Sequence, residues 1–127
     1  MPAMTHLATA FVLLAACGDD GGTILPDAPK AATVSEVSCT GITPAASIMT
    51  TDASFSFMPS TATITAGGVV KFTTSLSHNI VPNPSAPKTD PGITVGFNKT
   101  VCLKFSAAGT YGFMCMPHGF TGSVTVN

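Results

Sequence analysis

Short apolar segments alternate with polar and turn residues along most of this chain. In residues 100–105, Val101, Leu103 and Phe105 alternate with polar or small residues, which is the period of a half-buried β-strand. Glycine and proline separate the segments, and no stretch beyond residue 36 keeps a helical period. The pattern predicts strands near 52–57, 61–65, 68–74, 77–82, 93–97, 100–105, 109–115 and 121–126.

Many short strands separated by turn residues are typical of an all-β sandwich or barrel. The strand at 100–105 should face the core with Val101, Leu103 and Phe105, and the predicted companions are Ile64, Val70, Phe72 and Tyr111. Charged residues make up 9% of the chain and the net charge is -1, so nothing in the composition suggests binding to nucleic-acid phosphates.

The first residues have the pattern of an export signal. Residues 8–16 form an apolar run that is too short to span a bilayer, and Cys17 follows it directly. This junction resembles the lipobox of bacterial lipoproteins, which implies that Cys17 is lipidated and becomes the mature N-terminus. The alternative is a buried apolar helix with a chance cysteine, and residues 1–6 lack the basic residues usual in signals.

The prediction for the domains is therefore a signal peptide at 1–16, a lipidated cysteine and flexible linker at 17–36, and one folded domain at 37–127. Acidic residues outnumber basic ones in the linker, and the balance reverses in the domain. The protein should be exported and held by lipid on a bacterial membrane, facing the periplasm or the outside.

Candidate chemistry lies near the C-terminus, in the run Cys115-Met116-Pro117-His118. A cysteine and a histidine three residues apart can reach one metal from a single tight loop. A further histidine, His78, lies upstream, and two imidazoles with one thiolate form the trigonal set that selects copper in electron-transfer sites. A closed zinc site would need a fourth ligand. A Cys-His nucleophilic pair is the other alternative, but no oxyanion-hole motif accompanies it.

The chain from about Phe57 onward resembles the cupredoxin family, the plastocyanin and amicyanin type of blue copper protein. The resemblance rests on motifs in order: Phe57-Met58-Pro59, residues 63–72, Ser77-His78-Asn79, residues 105–111, the Cys-x-x-His loop and residues 122–126. It implies a Greek-key β-sandwich of about seven to eight strands that binds one type 1 copper ion through His78, Cys115 and His118.

The resemblance also implies a function, which is electron transfer without substrate turnover, so the protein would not be an enzyme. Asn79 would join the two ligand loops by hydrogen bonds. Electrons would pass through the exposed edge of His118, and a monomer would dock briefly on a redox protein. The apolar patch around that edge would comprise Met116, Pro117 and Phe120, with Pro82 as a further candidate.

One family feature is missing, because no methionine follows the loop histidine as a weak axial ligand. The candidates for that position are the backbone oxygen of Ser77 and the hydroxyl of Thr121, and a three-coordinate site is equally plausible. The missing methionine leaves open an alternative function, a copper carrier or buffer that does not relay electrons.

The remaining cysteines form an even pair. Lipidation accounts for Cys17 and metal binding for Cys115, which leaves Cys39 and Cys102 in a chain that is predicted to be exported. We expect a disulfide between them, although the sequence alone is also compatible with two isolated thiols.

Overall fold

The computed structural model describes residues 32–127, and these residues form two four-stranded sheets. The first sheet has the order β1-β6-β4-β2 and the second β3-β8-β7-β5. The eight strands are β1 Val34–Val37, β2 Ala46–Met49, β3 Thr61–Ile64, β4 Val69–Thr73, β5 Val81–Pro82, β6 Thr100–Phe105, β7 Gly109–Met114 and β8 Thr121–Val126. The described residues contain no helix, so the predicted all-β sandwich is confirmed.

Neighbouring strands within each sheet are mostly distant in sequence. In the first sheet β6 pairs antiparallel with both β1 and β4, and β2 runs parallel to β4. In the second sheet β8 pairs antiparallel with β7 and parallel with β3. Consecutive strands therefore cross repeatedly between the layers, which brings the ends of β4 and β7 to one end of the sandwich.

The core lies between the two sheets and is built from aromatic and branched side chains. Leu103 and Phe105 of β6 are buried as predicted, whereas Val101 is only half-buried. Phe113 packs edge-on against Phe57 and Phe72, with ring centroids 4.8 and 5.4 Å away. The predicted companions of β6 are all buried: Ile64, Val70, Phe72 and Tyr111.

Three predicted strands differ from the structure. Residues 52–57 form turns, because the chain leaves the sheet after Met49 and returns only for the backbone pair that Met49 makes with Met58. Residues 93–97 contribute one bridge, between Val95 and Ile80, and the predicted strand at 77–82 is reduced to that bridge and β5. Both β1 and β2 were missed because each is four residues long and two of its four positions are exposed.

The folded region begins earlier than residue 37. β1 starts at Val34, and the N–H and hydroxyl of Thr33 donate hydrogen bonds of 2.7 and 2.9 Å to the buried carboxylate of Asp90. The linker predicted to end at residue 36 therefore overlaps the first strand. The predictions for residues 1–16 and for Cys17 lie outside the described residues. Within 32–127, no helix is long and apolar enough to cross a membrane.

The predicted disulfide is present. Cys39 follows β1, Cys102 lies in β6 opposite Val37, and their Cα atoms are 5.4 Å apart. The bond closes a loop over a sequence separation of 63 residues and ties the N-terminal strand to the sheet.

Candidate metal centre

A tight loop after β7 carries two of the three predicted ligands. The N–H of Cys115 donates to the carbonyl of Phe120 at 3.0 Å, and the N–H of Gly119 donates to the carbonyl of Cys115 at 2.8 Å. Gly119 has a φ of 73°, a conformation that glycine adopts without the steric cost of a Cβ. The loop thereby turns His118 back toward the Cys115 side chain.

The third ligand comes from the loop that follows β4. Thr74 is buried and its hydroxyl donates to the carbonyl of Gly96, while Ile80 pairs with Val95 through two backbone hydrogen bonds of 2.9 Å. These contacts fix the loop on both sides of His78. The imidazole of His78 is fully buried at the end of the sandwich where β7 ends.

The three predicted ligand atoms converge. Nδ1 of His78 lies 3.0 Å from Nδ1 of His118, and Sγ of Cys115 lies 3.6 and 3.7 Å from these two nitrogens. A triangle with these sides has a centre about 2.0 Å from each corner, close to ordinary metal–nitrogen bonds of about 2.0 Å and metal–thiolate bonds of about 2.3 Å. The donor atoms are thus arranged to hold one ion.

The chemistry of the donors indicates which ion fits. Two imidazoles and a thiolate are the trigonal set of blue-copper sites. Cys115 and His78 are buried, and His118 is exposed. Among the described residues, these three form the one group of histidine, cysteine and carboxylate side chains close enough to share an ion. Two buried donors and one exposed donor that face one another in this way suit a metal better than mutual hydrogen bonds alone.

A hydrogen bond joins the two ligand loops. Oδ1 of Asn79, the residue after His78, accepts from the N–H of Met116, the residue after Cys115, at 2.9 Å. This is the role that the sequence predicts for Asn79. The bond fixes the spacing between the loop that carries His78 and the loop that carries the other two ligands.

The two candidates for the axial position, Thr121 and the carbonyl of Ser77, have different surroundings. Thr121 pairs with Met114, and both alternate away from the core, whereas Cys115 points into it. Thr121 is exposed and lines a surface groove with Ser123, which disfavours it as a ligand, and its hydroxyl in the axial position stays a prediction. Ser77 donates its N–H to Oδ1 of Asp52 at 2.9 Å, which leaves its carbonyl as a candidate.

Aromatic rings surround both imidazoles. Phe120 is half-buried, and its ring centroid lies 5.0 Å from that of His78 and 4.6 Å from that of Phe57. Phe55 is 66% exposed, and its ring lies 4.8 Å from His118 and 5.8 Å from His78. The sequence reasoning missed Phe55 because it assigned residues 52–57 to a strand. The sequence offered one indication of Phe55: it is an aromatic residue in a segment, 50–57, that is rich in serine and threonine.

Hydrogen bonding also lowers the pKa of one carboxyl group near the site, that of Asp52. The N–H of Ser77, with a smaller contribution from the hydroxyl of Ser75, holds the pKa of Asp52 below its ordinary value. Asp52 therefore stays ionised at neutral pH and anchors the loop that carries Phe55 to the loop that carries His78.

Comparison with known proteins agrees with this geometry. Residues 44–127 match the model of a family described as copper binding proteins of the plastocyanin/azurin family. The chain belongs to that family. Amicyanin-alpha from Methylorubrum extorquens is 35% identical over 88 residues, which cover 65% of this chain and 74% of that protein.

Solved structures share the fold. The crystal structure of amicyanin from Paracoccus versutus superposes with a TM-score of 0.55 at 19% identity, and the match covers 76% of this chain and 99% of that one. Native pseudoazurin from Hyphomicrobium denitrificans has a TM-score of 0.50 at 28% identity, with 64% and 73% covered. Membership of the plastocyanin/azurin family, the cupredoxins, makes copper the cofactor, and His78, Cys115 and His118 form a possible site for it.

Proposed function

We propose that this protein transfers single electrons through a type 1 copper centre outside the cytoplasm and does not turn over a substrate. The observation that carries the proposal is the convergence of two Nδ1 atoms and one Sγ atom within 3.0–3.7 Å of one another. A copper ion held there supplies one-electron chemistry by alternating between Cu(II) and Cu(I). The ligand loops hold the three donors in place, so that little rearrangement accompanies the change of oxidation state.

His118 would connect the centre to a partner. His118 is the exposed one of the three predicted ligands. Met116, two residues before it, is 66% exposed, and Pro117 between them is also exposed. Phe120 contributes less to this surface than the sequence predicted, since it is half-buried between Phe57 and His78. A small apolar surface of this kind suits brief docking of a monomer to a redox protein, because transient complexes bury little area.

The location is part of the same proposal. We infer that Cys17 carries the lipid and that residues before β1 tether the domain to a bacterial membrane, at its periplasmic or outer face. The Cys39–Cys102 disulfide supports an oxidising compartment.

A copper carrier or buffer is the second candidate. It is favoured by one observation, that no methionine follows Met116 in the chain. The carbonyl of Ser77 is the proposed substitute in the axial position, since backbone oxygen can serve there.

Voltammetry of the copper-loaded protein separates the two functions. Electron transfer predicts a reversible one-electron wave at an electrode, whereas a carrier that reorganises its ligands on reduction predicts an irreversible wave or release of the ion. Inserting a methionine between Phe120 and Thr121 should then lower the midpoint potential, because the axial ligand tunes the potential of such sites. An unchanged potential would show that a strong axial donor is already present or that the inserted sulfur does not reach the metal.

A further inference from the structure

The chain between β2 and β3 forms a loop whose two ends are held together. Met49 and Met58 exchange two backbone hydrogen bonds, of 3.0 and 2.9 Å, across its base. Residues 50–57, which we call the Phe55 loop, are therefore held at both ends, and Phe57 packs in the core against Phe113. Inside the loop, the hydroxyls of Ser54 and Ser56, on either side of Phe55, lie 2.7 Å apart.

Hydrogen bonds also attach the Phe55 loop to the loop that carries His78. The hydroxyl of Thr50 accepts from the N–H of Ser75 at 2.9 Å, and Asp52 accepts from the N–H of Ser77 at 2.9 Å. Thr50 is buried, so this attachment is not confined to solvent-exposed groups. The position of Phe55 is consequently tied to the position of His78.

Phe55 contacts both imidazoles of the site. Its ring meets His118 edge-on at 78° with centroids 4.8 Å apart, and meets His78 at 74° and 5.8 Å. Phe55 is 66% exposed, and the aromatic rings that it contacts are these two imidazoles. His118 is itself exposed and lacks the surrounding core that fixes His78, so a neighbouring ring has the larger effect on its orientation.

We propose that Phe55 is a positioning residue that orients the His118 imidazole and limits the access of external ligands to the metal centre. The positioning part concerns the protein with or without metal. The access part rests on the proposed copper function. Without a methionine after the loop histidine, a ring held beside both imidazoles occupies space that a small ligand would otherwise use to approach the ion.

The first arm of the test uses the metal-free full-length protein. Phe55→Ala should shift the NMR signals of the His118 ring protons and raise the mobility of that ring in NMR relaxation, because the imidazole loses both the current of the Phe55 ring and the neighbour that fixes its orientation. His78 should change less. Phe97→Ala is the matched control, since Phe97 is also a largely exposed phenylalanine, at 46%. Phe55→Tyr should keep the wild-type shifts. Equal effects of Phe55→Ala and Phe97→Ala on His118 would overturn the proposal.

The second arm uses the copper(II)-loaded protein and azide as the probe. Azide binding, followed by visible absorption, should be roughly three- to tenfold tighter in Phe55→Ala than in wild type, the factor that corresponds to losing an edge-to-face aromatic contact. Phe97→Ala and Phe55→Tyr should bind azide as wild type does. An unchanged affinity in Phe55→Ala would refute the access role. If wild type gave no thiolate–copper band at all, the proposed function would fail instead, and the NMR arm would still decide the positioning role.

Discussion

Replacing Asn79 with alanine tests whether the bond between the ligand loops matters for the metal. The variant loses the 2.9 Å hydrogen bond from the N–H of Met116 and leaves the fold otherwise intact, because Asn79 is only half-buried. A neutral hydrogen bond of this kind contributes about 1 kcal/mol to folding stability. The effect on copper binding should be larger than the effect on folding: copper affinity should fall by about 10- to 100-fold, since residues that orient metal ligands have effects of that size.

The affinity is measured by competition between the protein and a copper chelator of known strength, at fixed pH and salt. Asn83→Ala is the matched control, because Oδ1 of Asn83 accepts a 3.0 Å hydrogen bond from the N–H of Ser85 within its own loop and touches neither ligand loop. A tenfold change corresponds to about 1.4 kcal/mol. If Asn79→Ala and Asn83→Ala bound copper within about twofold of each other, the reasoning about the loop connection would be refuted.

Two further predictions concern stability. The double variant Cys39→Ala/Cys102→Ala should unfold in urea with about 4 kcal/mol less free energy than the oxidised wild type, given the 63-residue separation, and a loss under about 1 kcal/mol would contradict the chain-entropy estimate. Asp52→Asn should be less stable than wild type at pH 6, and the difference should vanish as the pH falls through the folded-state pKa of Asp52, which lies below its ordinary 3.8. Urea unfolding at both pH values measures this, and a difference that persists below that pKa would rule out the charge of Asp52 as its cause.

The sequence predicted the parts of the fold that depend on local pattern. Residues 100–105 alternate between faces, and β6 occupies those residues with Leu103 and Phe105 buried. β1 and β2 were missed because they are defined by pairing with strands distant in sequence and not by an apolar pattern of their own. β1 pairs with β6, and β2 pairs with β4. A segment of four residues, two of them exposed, is too short to indicate a strand by its periodicity.

In the site, too, features set by local sequence were predictable and a feature set by a long-range contact was not. The convergence of His78, Cys115 and His118 was predictable because the Cys-x-x-His loop and Ser77-His78-Asn79 stand in an ordered series of motifs, and Asn79 follows from its place beside His78. Phe55 was not predictable, because its contact with His118 crosses 63 positions of sequence and depends on the turn that the chain makes after β2. Thr121 was a candidate ligand because it lies nearest in sequence to the missing methionine, and this stays a prediction; its exposed position at the start of β8 follows from strand pairing with Met114.

The central claim is that Cys115, His78 and His118 bind copper as a type 1 centre, and the visible spectrum tests it most directly. One equivalent of copper(II) added to the folded protein should produce an intense blue or green thiolate-to-copper charge-transfer band. Cys115→Ser should abolish the band while the protein stays folded, because serine keeps the size of the side chain and removes the thiolate. A band that persists in Cys115→Ser, or its absence from the folded wild-type protein, would contradict the account.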